Sequence, residues 1–187
     1  MDIGQIRSAL TSEIHTTQLA ELDENELASV LIIIYGKDPF VIMTEKAKTL
    51  KVHAGEIAFP GGKWCTKDKD LLETAIRETK EELCLEVSKE QVVGQLDSVI
   101  TLNSKYRITP YLAILEGIPS LKANSEVESI LHIPLVSLLR TMADDNHPEH
   151  RSIKEMHTFT FENHHVWGAS ARMLKQINTL LSKRNLL

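Results

Sequence analysis

Cysteine is scarce in this chain: there are two, Cys65 and Cys84, among 187 residues. Neither sits in a paired metal-ligand spacing, so the count speaks against a disulfide scaffold and makes a reducing compartment the default. Long hydrophobic runs are missing too. The longest, Val30 to Tyr35, is far shorter than the roughly 20 residues a membrane-spanning helix needs. The N-terminus, Met1-Asp2-Ile3-Gly4, lacks the basic-then-apolar pattern of a signal peptide. There is no excess of positive charge: 21 Lys and Arg stand against 26 Asp and Glu, a net −5. That balance argues against a nucleic-acid partner held by a basic surface. No internal repeat, low-complexity tract or linker breaks the chain. These absences predict a cytoplasmic protein with neither a membrane nor a nucleic acid as its partner.

What is present is ordinary for a globular protein: 42% hydrophobic and 25% charged residues. The length suits one domain, residues 1–187, with ample chain for a core. Ile3, Ile6, Leu10 and Ile14 recur at helical spacing and predict an amphipathic helix from residue 3 to about 22. Residues 1–26 form an N-terminal helical extension in this reading. Whether that helix packs on its own domain or on a second subunit, as in a homodimer, is left open. Ala28 to Tyr35 is apolar and β-branched, a buried strand, and Phe40 to Thr44 returns as its hairpin partner across Gly36-Lys37-Asp38-Pro39. Gly55 to Pro60 reads as a short strand, and Gly61-Gly62 as a turn that lets backbone approach a ligand. Strands are expected over Val92 to Leu102, with a bulge at Gly94, and over Tyr106 to Leu115, broken by Pro110. Glu126 to Ile133 is a further strand, and Pro134 opens a short helix through Arg140. Ala143 to His150 is expected to be an exposed loop, Lys154 to Phe161 extended and Val166 to Lys183 a last helix. Without regular alternation of strand and helix, these elements predict a mixed sheet between helical layers.

One stretch carries chemistry. Leu72, Ala75, Ile76, Thr79 and Leu83 mark the buried stripe of a helix that Asp68 or Asp70 can cap. On it Glu78, Glu81 and Glu82 stand at i, i+3 and i+4, three carboxylates on one face. Each like-charged pair so placed costs about a few tenths of a kcal/mol. A solvated acidic face, offset by Arg77 and Lys80, is the plain explanation. A divalent cation is the functional one, since hard Mg²⁺ or Mn²⁺ takes carboxylate oxygen. The histidines complete no zinc pattern, so His147, His150, His164 and His165 read as surface or loop residues. Trp64 either caps a substrate cavity or covers the core.

These residues resemble the Nudix hydrolase motif: Gly, five residues, Glu, seven residues, Arg-Glu, two residues, Glu-Glu, one residue, Gly, then an aliphatic residue. Arg77, Glu78, Glu81, Glu82 and Leu85 match it within residues 62–85. Asp68 takes the early acidic position, with one residue more before Arg77, and Cys84 replaces the glycine. Lys51 to Gly62, with Thr74-Ala75-Ile76-Arg77-Glu78, is similar to the coenzyme A pyrophosphatase branch, as is the longer loop. Ile108-Thr109-Pro110, Asn124 to Val127, Ile133-Pro134-Leu135 and Trp167 to Ala171 extend the likeness.

The resemblance implies an α/β/α sandwich of α+β class. It implies a metal-dependent enzyme that splits the diphosphate of a nucleoside derivative. With coenzyme A the products would be 3′,5′-ADP and 4′-phosphopantetheine. Other nucleoside diphosphate derivatives, such as ADP-ribose, NADH or dinucleotides, are the alternative, and a non-catalytic nucleotide sensor is a third. Metal ligation falls to Glu78, Glu81 and Glu82, proton acceptance to one of these or to Glu126, and Arg77 holds a motif carboxylate in its rotamer. Lys46, Lys51, Gly61 and Gly62 are the candidate substrate-binding residues. Lys46 and Lys51 stand where the branch usually has Arg, which keeps charge but loses the two-pronged contact to phosphate. Cys84 is expected either to pay steric strain at the helix end or to let the helix run on.

Overall fold

The structure, a computed structural model, describes residues 2–15, 26–102, 104–145 and 156–187. Strand β1 (Leu27–Tyr35) is its axis. Leu31 and Ile33 face one apolar cluster while Ile32 and Ile34 face another, so the run has no polar alternation because both faces are covered. β2 (Phe40–Lys46) returns beside it, with Tyr35 opposite Phe40 and Ile34 opposite Val41. β3 (Ile57–Ala58) and β4 (Gly61–Lys63) follow, then helix α2 (Leu71–Leu83). β5 (Val92–Gln95), β6 (Val99–Ile100), β7 (Arg107–Leu115) and β8 (Val127–Pro134) complete the sheet. β7 lies parallel to β1 over its whole length and the other pairings are antiparallel, so the sheet is mixed. Its order is β3-β2-β1-β7-β5, with β4 on β1, β6 on β7 and β8 on β2.

Helix α1 (Ile3–Leu10) and helix α4 (Gly168–Ser182) cover one face, helped by the short α3 (Leu135–Leu139). Helix α2 covers the other. The expected sandwich of helix, mixed sheet and helix is therefore present. A small second sheet joins β9 (Ala143–Asp144), β10 (His157–Phe161) and β11 (His164–Val166). Among the described residues no helix is long and apolar enough to cross a membrane.

Several expectations need correction. The first helix stops at Leu10 rather than near residue 22. Thr11 turns extended, and the next residues spend their hydrogen bonds on β5: the Ser12 N–H donates to the Val93 carbonyl, and the His15 N–H to the Gln95 side chain. Ile6 and Leu10 are buried against this chain's own α4 and sheet. Pro110 does not break β7. Its carbonyl accepts from the Leu96 N–H. In a strand the nitrogen points to the same side, so the missing N–H faces the gap between β5 and β6, where pairing is already interrupted. For the same reason Val92 to Leu102 is two strands, not one. The register does shift between Val92 and Gly94, as expected of a bulge. Gly61-Gly62 is not a turn: it is the body of β4, opposite Val30 and Ser29. Ala143-Asp144 pairs with β10 instead of looping free, and β11 was not anticipated. Residues 16–25, within the expected N-terminal extension, and His147 and His150 lie outside the described residues.

A Cβ placed on Gly94 would lie 2.5 Å from the Leu10 carbonyl oxygen. Gly94→Val should therefore unseat the junction of α1 with β5 and destabilise the protein by about 2 kcal/mol. Calorimetry should show Tm lower by roughly 4–8 °C. An unchanged Tm would mean that α1 is not docked there.

Candidate active site

Helix α2 begins where the Asp70 carboxylate accepts the Glu73 N–H at 2.7 Å. It ends at Cys84 in the left-handed region, φ 53°, ψ 31°, the conformation a glycine takes without strain. The helix stops at the motif position after all, and the thiol side chain bears the steric cost. Two of its last carbonyls find partners outside the helix: the Lys122 N–H donates to Leu83 at 3.0 Å, and the Asn124 N–H to Glu82 at 3.0 Å. The Glu126 N–H donates to the Asn124 side chain, and the Glu126 carbonyl accepts the Ala47 N–H at 2.9 Å. Glu126 is thus fixed between the end of β2 and the end of α2.

Opposite the helix lies β4. A Cβ on Gly62 would fall 2.4–2.6 Å from the carboxyl atoms of Glu78, so only glycine leaves room for that group. A Cβ on Gly61 would fall 2.3 Å from the Ser29 carbonyl oxygen. Both glycines serve close approach, of a carboxylate in one case and of β1 backbone in the other.

Arg77 ties the site together. Its Nε and one terminal nitrogen donate to the two oxygens of Asp68, each at 2.9 Å. The other terminal nitrogen donates to Glu78 at 2.9 Å and to Glu81 at 3.2 Å. Asp68 also accepts from the Thr74 hydroxyl at 2.9 Å. Its carboxyl is held below the usual range, chiefly by the hydrogen bonds from Arg77, which in turn keep the guanidinium protonated. Asp68 matched the early acidic position of the motif, yet it was not placed among the site residues. Its spacing of nine residues before Arg77 was the available signal. Trp64 covers the second apolar cluster and donates its indole N–H to the Asp68 carbonyl.

Glu82 is 2% exposed and accepts from the Lys46 ammonium and, at 3.4 Å, from the Gly61 N–H. Glu81 is 56% exposed and, among the described residues, is paired with Arg77. Burial pushes the Glu78 carboxyl up, Arg77 opposes the shift, and the charges of Glu81 and Glu126 add to it. Burial likewise raises Glu82 against the pull of Lys46, with Glu78 adding to the rise. Glu81, Glu82 and Glu126 are therefore each within electrostatic reach of Glu78. Lys51 is exposed between β2 and β3 and pairs with no described acidic group. Lys46 meets a motif carboxylate rather than open solvent. His164 and His165 lie on strand β11 rather than in a loop, with His164 3.9 Å from Glu45.

The donor set suits a hard divalent cation: oxygen ligands only, crowded and mutually repelling, with Glu78 seated in a cradle that a Cβ would fill. Among the described residues no three His, Cys, Asp or Glu side chains already converge on one point. The carboxylates are drawn instead to Arg77 and Lys46.

A Nudix domain model matches residues 26–156. The chain belongs to the Nudix hydrolases. It is 33% identical over 163 residues to the uncharacterized Nudix hydrolase NudL of Photorhabdus laumondii, covering 83% of this chain and 84% of that one. It is 35% identical over 161 residues to the uncharacterized NudL of Yersinia pestis, covering 82% and 78%. Among solved structures, a MutT/nudix family protein from Enterococcus faecalis matches with TM-score 0.63 at 14% identity, covering 92% of this chain and 66% of that chain. A MutT protein from Methanosarcina mazei matches with TM-score 0.53 at 13% identity, covering 85% and 94%. Nudix hydrolases generally use divalent metal ions.

Two outcomes are expected. Cys84→Gly should relieve the left-handed strain and raise stability by about 1 kcal/mol, near 2–4 °C in Tm, with turnover within a factor of about two. A large change in turnover with no change in Tm would contradict it. The second concerns pH. Glu78 and Glu82 ionise less readily folded than unfolded, so the folded chain holds the extra protons above the ordinary Glu value of 4.5. Stability without metal should fall as pH rises through that window. Asp68 acts oppositely, losing its contribution as pH falls through its lowered value. Glu78→Gln should flatten the fall in metal-free Tm and abolish the rise in Tm expected of the wild type with Mg²⁺. A full Mg²⁺ response in the variant would remove Glu78 from the site.

Proposed function

We propose that this chain is a divalent-metal-dependent diphosphatase acting on coenzyme A or its acyl derivatives. The products are 3′,5′-ADP and 4′-phosphopantetheine or its acyl form. The observation that carries the diphosphatase reading is the seating of Glu78 and Glu82 against the glycine strand, with the charges of Glu81 and Glu126 acting on Glu78. Coenzyme A is supported by the segment Lys51 to Gly62, which resembles the branch with that activity.

Glu78, Glu81 and Glu82 would hold Mg²⁺ or Mn²⁺. When bound, the metal neutralises the diphosphate and lowers the pKa of water. The protein's own groups do the rest. Arg77, anchored on Asp68, keeps the Glu78 and Glu81 carboxylates aimed and limits their rotamers. Glu126 accepts the proton as water oxygen bonds to one phosphorus and the bridging P–O bond breaks. The electron pair of that bond leaves with the departing phosphate. Lys46 and Lys51 offer charge to the diphosphate oxygens. Gly62 leaves room for the Glu78 carboxylate, and the Gly61 N–H donates to Glu82.

The test is a product screen of coenzyme A, NADH, ADP-ribose and diadenosine polyphosphates with Mg²⁺ or Mn²⁺. Coenzyme A should be cleaved, with 3′,5′-ADP identified by chromatography. Activity confined to ADP-ribose would transfer the protein to another nucleoside diphosphate substrate. Nucleotide binding without turnover under either metal would make it a sensor. Glu81→Gln should lower kcat by at least about a hundred-fold with an unchanged circular dichroism spectrum.

A further inference from the structure

Lys46 is the last residue of β2, and the register of β2 on β8 shifts between Glu45 and Lys46. An irregularity there re-aims the side chain. The Lys46 backbone is secured on both sides: its N–H donates to the Glu56 carbonyl, and its carbonyl accepts the Gly55 N–H, each at 2.9 Å. The chain at Lys46 is fixed, but the side chain is a four-carbon stem with rotatable donors, strongly hydrated when free. Its ammonium is the one cation on Glu82 among the described residues. The other Glu82 oxygen accepts the long Gly61 N–H contact. Glu82 is almost fully enclosed, and a charge so enclosed is strongly destabilising without a partner.

We propose that Lys46 is an exchangeable counter-ion: it holds the Glu82 carboxylate while no divalent ion is bound, yields it to the ion, and then presents its charge to the diphosphate. The proposal rests on the reading of Glu82 as a metal ligand. It explains why the motif carboxylates do not converge on a point, since Glu82 is engaged by Lys46 and Glu78 by Arg77. It also gives lysine a reason to stand here. An arginine would grip the carboxylate with a planar fork, whereas an ammonium on a flexible stem lets go. The consequence is competition. Lys46 and the metal contend for one carboxylate, so the ion binds more weakly alone than with a diphosphate that gives Lys46 a new partner. By linkage, the diphosphate must then bind more tightly when the ion is present.

Mn²⁺ titrations followed by electron paramagnetic resonance, at about pH 8.5 where carboxylates are ionised, read the competition directly. Lys46→Met should bind Mn²⁺ at least about five-fold more tightly than the wild type, Lys46→Arg should bind it more weakly, and Glu82→Gln should lose most binding. A second readout needs no variant. Acetic anhydride labelling of the wild-type chain, mapped by mass spectrometry, should find Lys46 protected without metal and more reactive with Mg²⁺. Lys46 should be protected again when inorganic pyrophosphate joins Mg²⁺. If Lys46→Met leaves Mn²⁺ affinity unchanged while Glu82→Gln abolishes binding, or if labelling ignores Mg²⁺, the exchange is overturned and the metal site stands. If Glu82→Gln binds Mn²⁺ like the wild type, the reading of Glu82 fails and the exchange with it. Should Lys46→Met not fold, the labelling decides.

Discussion

Carboxylates crowded around Glu78 are a source of repulsion, and two cations contain it. Arg77 reaches Asp68, Glu78 and Glu81 from one side, and Lys46 reaches Glu82 from the other. Asp68 anchors Arg77 through both its oxygens, so the guanidinium cannot swing away without leaving a buried carboxylate unpaired. With Arg77 on Glu78 and Lys46 on Glu82, two of the three glutamates are held out of water against the backbone of β4.

The sheet supplies the wall against which this happens. β1 is paired along its full length with β7 and, over its first half, with β4, which brings Gly62 under Glu78. β2 leaves β1 after two pairs and turns to β8, which carries Lys46 toward α2 and sets Glu126 beside it. The separation of β1 from β2, filled by β4, is what gathers residues from four parts of the chain at one end of the sheet. The family shows that this architecture belongs to hydrolases. The electrostatic crowding is the part of it that a cation and a diphosphate would use.

Much of this was legible in one dimension. The three glutamates, Arg77 and the helix that carries them follow from spacing alone, because helical periodicity puts i, i+3 and i+4 on one face. The burial of β1 follows from its unbroken apolar run, and the pairing of Arg77 with Glu81 from its i, i+4 spacing. Other features were misread for physical reasons. Gly61-Gly62 has the composition of a turn, but its glycines answer to neighbours distant in sequence, Ser29 and Glu78. Pro110 has the chemistry of a break, but its missing donor falls where β5 and β6 are already parted. The N-terminal helix has further apolar residues in phase, but β5 offers the chain after Leu10 a better set of hydrogen bonds.

The amino-acid sequence by itself determined the acidic helix, the long strands of the central sheet and the family. All of these depend on local propensity, periodicity and motif spacing. Only the tertiary structure decided that Lys46 meets Glu82, that Glu126 lies within reach of Glu78, and that Lys51 is left exposed. Those are distances between residues far apart in the chain. They depend on where β2 departs from β1 and how the end of α2 is satisfied, and no local pattern encodes either.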